Sequence, residues 1–386
     1  MSRIEATPTP AVLVWARKTA GMSAEVASQK ADVKPEQLTA WEDGTARPSL
    51  AQLRKLAVVY RRPLAAFYLP EAPARFQVMN DFRRISSSTA ALEDSPKLAY
   101  EIRRAYDRRE WTLELMKDID ESPPLFRATA SMNDGEEEIA TALRKAVGVS
   151  LAEQTSWGGD NEALKNWRIL FERAGVLTLQ ATDIQLKEAR GFSISLRPLP
   201  TVVVNIKDAP RGRIFTLLHE AIHIMLNQGG ICDLHDADVE AFCNRVAGAA
   251  LFPKGPLLQM AVVRGHKKRD PAWSDSELQE ISRQFGGSRE AALVRLLTLR
   301  LTTQAFYDRA RPKFVKLYEE QQRRKQEAEG FAPPHIVAIA SAGPLLTNLV
   351  VENLNRENIT ASDVSDYLQI RVKHLKELQG EYQGVG

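Results

Sequence analysis

Residues 219–223 read His219-Glu220-Ala221-Ile222-His223, and the rest of the chain is best read outward from this pentad. Histidines at i and i+4 stand on one face of a helix, so both imidazoles can reach a single metal ion. The glutamate between them projects beside that face, within reach of a water on the metal whose proton it can take. The pattern points to zinc-dependent hydrolysis of peptide bonds. A chain with six histidines carries such a pentad by chance on the order of once in a hundred. Its flanks add to the signal: Ile214, Leu218, Ile222 and Met225 recur at helical spacing. Asp208 with Pro210 predicts the helix start, and Asn227-Gln228-Gly229-Gly230 its stop. The alternative is two histidines and a glutamate satisfied inside a helical core.

A catalytic zinc usually takes three protein ligands and a water. The nearest source of a third is the stretch from Asp236 to Ala247, whose small and apolar residues predict a second buried helix running towards Pro253. Glu240 on that helix would be a costly lone charge unless it met a cation. Asn244, one turn later on the same face, could orient a ligand from behind. His235, in the loop before the helix, and Cys243, which reads as a small core residue, compete with Glu240. Glu240 is favoured because a helix holds a carboxylate more rigidly than a loop holds a histidine.

Phe215 to His223, then Glu240 to Ala247, then Leu251-Phe252-Pro253 resemble the ImmA/IrrE family of metallopeptidases, as do Arg190-Gly191-Phe192-Ser193 and Pro200 to Asn205 upstream. The resemblance covers roughly residues 160–255, with its motifs in the right order. It implies a zincin-like, gluzincin-type site with His219, His223 and Glu240 as zinc ligands and Glu220 as general base. It also implies a substrate class: helix-turn-helix transcriptional repressors, cut to release the genes they silence in stress, phage or mobile-element responses.

Residues 10–70 carry a second signal. Helical runs are predicted from Ala11 to Ala20, from Ala24 to Lys30 behind Ser23, from Pro35 to Gly44, from Leu50 to Tyr60, and from Leu64 to Tyr68. Five short helices with tight turns fit a helix-turn-helix unit. Leu38 to Gly44 followed by Arg47-Pro48 and Leu53 resembles the XRE (Cro/repressor-like) family. The resemblance implies a third helix in the major groove, with Lys34, Gln37 and Thr39 facing bases and Arg47 facing the backbone. The glutamine that usually opens the second helix is replaced by Ala24, and Glu36 and Glu42 dilute the positive field. A helix-turn-helix used only for protein contact is therefore the competing reading.

With 386 residues, 44% hydrophobic and 26% charged, the chain fits two to three ordinary domains. The fold expected is α+β and mostly helical. It divides into a helix-turn-helix domain (1–71), a linker and helical segment (72–155), a metallopeptidase core (156–256) with a small antiparallel sheet from strands near 176–180, 191–196 and 201–205, and a helical C-terminal domain (257–386). Within that last part, Ser274 to Leu301 and residues 359–375 each read as helix, turn, helix, and packing is favoured over DNA reading for both. The net charge of +3 is too small to argue nucleic-acid binding by itself. Cys232 and Cys243 fit reduced thiols rather than a disulfide framework. No signal peptide and no run of transmembrane length is read, so no membrane partner is expected and the location expected is cytoplasmic. The oligomeric state is not legible. The leading function is a regulatory zinc endopeptidase acting on a repressor and binding DNA through its N-terminal domain. The alternatives are a DNA-binding regulator or antitoxin with a structural or sensory metal, and an enzyme that cuts its own linker near residues 72–95.

Overall fold

The computed structural model describes residues 5–72, 95–226, 237–266, 270–328 and 332–383. Asn227 to Gly230, Cys232, His235 and nearly all of the linker around Asn80 to Arg84 lie outside the described residues. The chain divides into two compact units, residues 1–104 and 105–386. It is α+β and mostly helical.

In the N-terminal unit, α1 (Pro10–Thr19), α2 (Ala24–Ala31), α3 (Pro35–Glu42) and α4 (Leu50–Tyr60) are followed by a 3₁₀ turn, Leu64–Tyr68. Leu13, Leu38, Trp41, Leu53, Leu56 and Phe67 form its core. The Ser23 hydroxyl accepts from the Val26 N–H to open α2, and Ser49 with Gln52 forms a capping box on α4. Gly44 adopts φ +74°, and a Cβ there would lie 3.1 Å from Pro10 Cγ, so both backbone and space call for glycine.

Helices α5 (Pro96–Asp118), α6 (Glu136–Val147), α7 (Leu151–Ser156) and α8 (Asp160–Arg173) lead to the sheet, and the division between the units falls inside α5. Strands β1 (Leu177–Ala181), β2 (Gly191–Ile194) and β3 (Thr201–Asn205) are arranged in the order β1-β3-β2. The sheet is mixed rather than wholly antiparallel. The loop of residues 195–200 returns the chain so that β2 pairs antiparallel to β3 (Phe192 opposite Val203), while β1 lies parallel to β3 (Leu179 opposite Val203). The all-buried Thr201-Val202-Val203-Val204-Asn205 takes the centre, as a continuous apolar run should, and that leaves β1 and β2 on opposite sides of it.

Helix α9 (Pro210–Leu226) packs on β2, β3 and α8, and α10 (Ala237–Leu251) packs on α9 and α6. Their core, including Leu218, Ile222, Val246 and Leu251, continues past residue 256 into Leu278, Ile281, Phe285, Leu293 and Leu296. Those residues belong to α13 (Asp275–Phe285) and α14 (Arg289–Thr298), reached through the short helices α11 (Lys254–Gln259) and α12 (Ala261–Gly265). The helix-turn-helix grammar at Ser274 to Leu301 is thus a packing device, its apolar faces buried with the metal helix. After α15 (Gln304–Ala328) come α16 (Pro334–Asn355), α17 (Ala361–Leu368), a 3₁₀ turn and α18 (Leu375–Gln383). A separate cluster joins Leu115, Met116 and Ile119 to α16, α17 and α18.

By length and composition α16 could cross a membrane, against the expectation that no run reaches transmembrane length. Here it is a core helix packed on β1 and α8, kinked at Gly343 (φ +85°) where a Cβ would come within 2.5 Å of the Thr178 carbonyl oxygen. Beside this kink Glu172 is 5% exposed; its carboxylate accepts from Thr178 Oγ1 at 2.6 Å and from the Leu345 N–H at 2.8 Å. Burial pushes the carboxyl up to about 7, against the partial relief of Arg168 one turn away. The folded chain therefore holds this proton more tightly than the unfolded chain, whose value is 4.5. The resulting stability is full below pH 4.5 and is lost as pH rises through about 7. Glu172→Gln should remove that loss, so that between pH 5 and 8 the unfolding free energy of wild type in urea falls by about 2 to 3 kcal/mol more than that of the variant. Parallel pH profiles would contradict the assignment.

Candidate metal centre

The metal helix starts where Asp208 ends the preceding turn. Its buried carboxylate accepts from the Ala209 N–H at 2.8 Å, from Tyr318 Oη on α15 at 2.7 Å and from Arg190 Nη1 at 3.0 Å. A Cβ on Gly212 would come within 2.6 Å of that carboxylate, so the first turn packs directly on it. From this start Ile214, Leu218, Ile222 and Met225 turn into the core. His219, Glu220 and His223 are thereby presented on the remaining face.

His219 Nε2 and His223 Nε2 lie 3.0 Å apart. Glu240 Oε2 is 3.3 Å from the first and Oε1 3.2 Å from the second. The two imidazoles hold the Glu240 carboxyl well below the usual carboxylate range, His219 contributing most, so the group stays anionic as a metal ligand must. Three donors held about 2.0–2.1 Å from a tetrahedral ion lie about 3.3 Å from one another, close to the separations found. Two imidazoles and a carboxylate are also the donors of a borderline ion. His219 Nδ1 is buried without a hydrogen-bond partner among the described residues, and Cys243 Sγ, in the core, lies 3.8 Å from His223 Nδ1. The residues present fit a metal ion.

Glu220 stands beside the donors, half-buried. Ser193 Oγ donates to its Oε2 at 2.8 Å. That contact depends on β2 lying hard against α9: a Cβ on Gly191 would meet Thr216 Cγ2 at 2.5 Å and the Val203 carbonyl oxygen at 2.7 Å. Sequence reasoning quoted Ser193 without giving it a role, although its spacing of two from Gly191 in a strand already puts both on the face that meets the helix.

Asn244 is exposed, one turn beyond Glu240, and among the described hydrogen bonds none ties it to a ligand. It lines a cavity with Thr216 and Gly248 instead. In the N-terminal unit Lys34 precedes α3 as its N-cap, Thr39 and Arg47 are exposed, and Gln37 is half-buried. Glu42 does not dilute the surface field as expected. Its carboxylate is paired with Arg17 through Nε at 2.7 Å and Nη2 at 2.8 Å, with side chains 7% and 15% exposed. That bidentate pair raises the Arg17 pKa and ties α1 to α3.

Residues 171–297 match the family model described as the IrrE N-terminal-like domain, a peptidase family, and residues 13–67 match the helix-turn-helix model. The chain thus carries a segment similar to the IrrE N-terminal-like domain behind one similar to a helix-turn-helix domain. No curated protein and no solved structure matches it. The IrrE-like match runs from the end of α8 through all three strands, both helices of the donor set and nearly all of α14, so the segment that matches is the one whose core positions the pentad. The helix-turn-helix match ends within the 3₁₀ turn after α4.

Proposed function

We propose that this chain is a regulatory zinc-dependent endopeptidase that cleaves a helix-turn-helix transcriptional repressor, and that its own helix-turn-helix domain binds DNA. The observation that carries the reading is the convergence of His219, His223 and Glu240 with Glu220 alongside. Zinc is the ion this donor set favours, with His219, His223 and Glu240 as its ligands. Bound there, it lowers the pKa of a water to about 7 and polarises the carbonyl to be cut.

Glu220 is the proton carrier: it accepts the water's proton and later returns it to the departing amine. Ser193 fixes one carboxylate oxygen of Glu220, leaving the other to face the reaction. Strand β2 is an edge strand, so an extended peptide can pair with it beside the metal helix. Lys34, Gln37, Thr39 and Arg47 are the residues we assign to DNA. We also assign the protein to the cytoplasm, the compartment in which a DNA-reading domain has its target.

The test is incubation of the zinc-loaded full chain with purified XRE-type repressors, with products mapped by mass spectrometry. One discrete cut in a repressor is expected. DNA binding with no repressor cut would instead make the chain a regulator or antitoxin with a structural metal. Cutting confined to residues 72–95 of its own chain would make it a self-releasing regulator.

A further inference from the structure

A cavity of about 420 Å³ opens one helical turn from the donor set. Phe215 and Thr216 in its wall precede His219 and Glu220 by one turn of α9; Asn244 and Gly248 follow Glu240 by one and two turns of α10. One turn rises about 5.4 Å, so a side chain neighbouring a peptide bond held at Glu220 reaches this space. Helix α14 forms the far wall with Glu290, Ala291 and Val294, and Tyr307 of α15 closes it. A second cavity of about 580 Å³ shares Arg190, Arg211, Gly212, Ser288 and Glu290 with the first and extends it towards Tyr318.

Four arginines line the smaller cavity, and each is matched by a carboxylate: Arg190 by Asp208 at 3.0 Å, Arg211 by Asp160 at 2.9 Å, Arg245 by Glu136 and Arg295 by Glu137. Glu290 is different. Its Oε1 accepts from Tyr307 Oη at 3.2 Å, and among the described ion pairs it has none. Arg289, its neighbour in the chain, lines the larger cavity with it but not the smaller one. The smaller cavity thus combines apolar walls at Phe215, Ala291 and Val294 with one carboxylate that stands outside the described ion pairs. A long apolar stem with a cationic tip fits that combination.

We infer that this cavity is a specificity pocket for a lysine or arginine side chain of the bound peptide, with Glu290 as the counter-charge. The inference rests on the peptidase reading for the presence of a peptide, but its preference is visible in binding alone. The probes are acetyl-Ala-Ala-Arg-Ala-Ala-amide and its leucine and glutamate counterparts, titrated calorimetrically into the full chain carrying Glu220→Gln so that nothing is consumed. The arginine peptide should bind at least tenfold more tightly than either counterpart. Adding Glu290→Gln, a half-buried and isosteric change, should bring the three together, and Glu290→Lys should turn the preference to the glutamate peptide. Equal affinities at the outset, no binding of any peptide, or an arginine preference that survives Glu290→Gln would each overturn the pocket. A chain that shows the preference and cuts no repressor keeps the pocket and loses the peptidase reading. One that cuts a repressor without the preference does the reverse.

Discussion

Glu220→Gln is expected to bind zinc as wild type does and to lose hydrolysis by about 10³-fold, some 4 kcal/mol of transition-state stabilisation. The amide has the shape of the carboxylate and its oxygen still accepts from Ser193 Oγ, 2.8 Å away in the wild type, so position is preserved. What it lacks is the ability to take a proton at neutral pH. Glu220 also stands outside the group of three donors, so metal affinity has no reason to fall with it. The two readouts therefore separate. Metal content by mass spectrometry should be unchanged, while the initial rate of repressor cleavage drops. A variant that keeps metal and cleaves at more than a tenth of the wild-type rate would show that proton transfer runs through another group.

Removing the partner of Arg17 should have the largest effect on stability. The Arg17–Glu42 pair is bidentate and nearly enclosed, its side chains 15% and 7% exposed. Breaking such a pair leaves a desolvated charge behind, typically costing about 3–5 kcal/mol. In Glu42→Ala the guanidinium would keep, of these contacts, only its bond to the Met22 carbonyl at 3.1 Å. We expect a loss of about 3 kcal/mol at the low end of that range, because Arg17 is not fully buried. Removing both charges at once, Arg17→Met with Glu42→Leu, should recover most of it, since apolar replacement of a buried pair is often neutral. Urea unfolding followed by amide exchange of α1 and α3 residues measures both. A single variant as stable as wild type would mean that the pair is solvated.

What was legible beforehand follows from how local each signal is. The pentad names its own geometry, because i and i+4 on a helix fix the two imidazoles before any tertiary structure exists. Glu240 lies within 3.3 Å of an imidazole nitrogen on a rigid helix, but its side chain is 49% exposed, so the cost of a buried lone charge is not what places it. The helix-turn-helix region was legible because its cap at Ser23 and its turn at Gly44 are themselves local.

The features that escaped depend on pairing between distant segments. The parallel register of β1 beside β3 is set by which strand takes the centre, and short strands do not announce their neighbours. Glu42 looked like a surface charge because Arg17 lies 25 positions away, and Ser193 reaches Glu220 across 27. Helix α16 carries Gly343 and Pro344 inside it, which break its helical pattern in the sequence, and the kink there seats it against β1.

The metal centre is tested most directly by the zinc content of the purified, dialysed full chain beside that of His219→Ala. One equivalent of zinc in the wild type and less than a tenth of an equivalent in the variant is the expected result. A wild type without zinc, or a variant that retains it, would mean that His219, His223 and Glu240 are not the ligands of a metal ion.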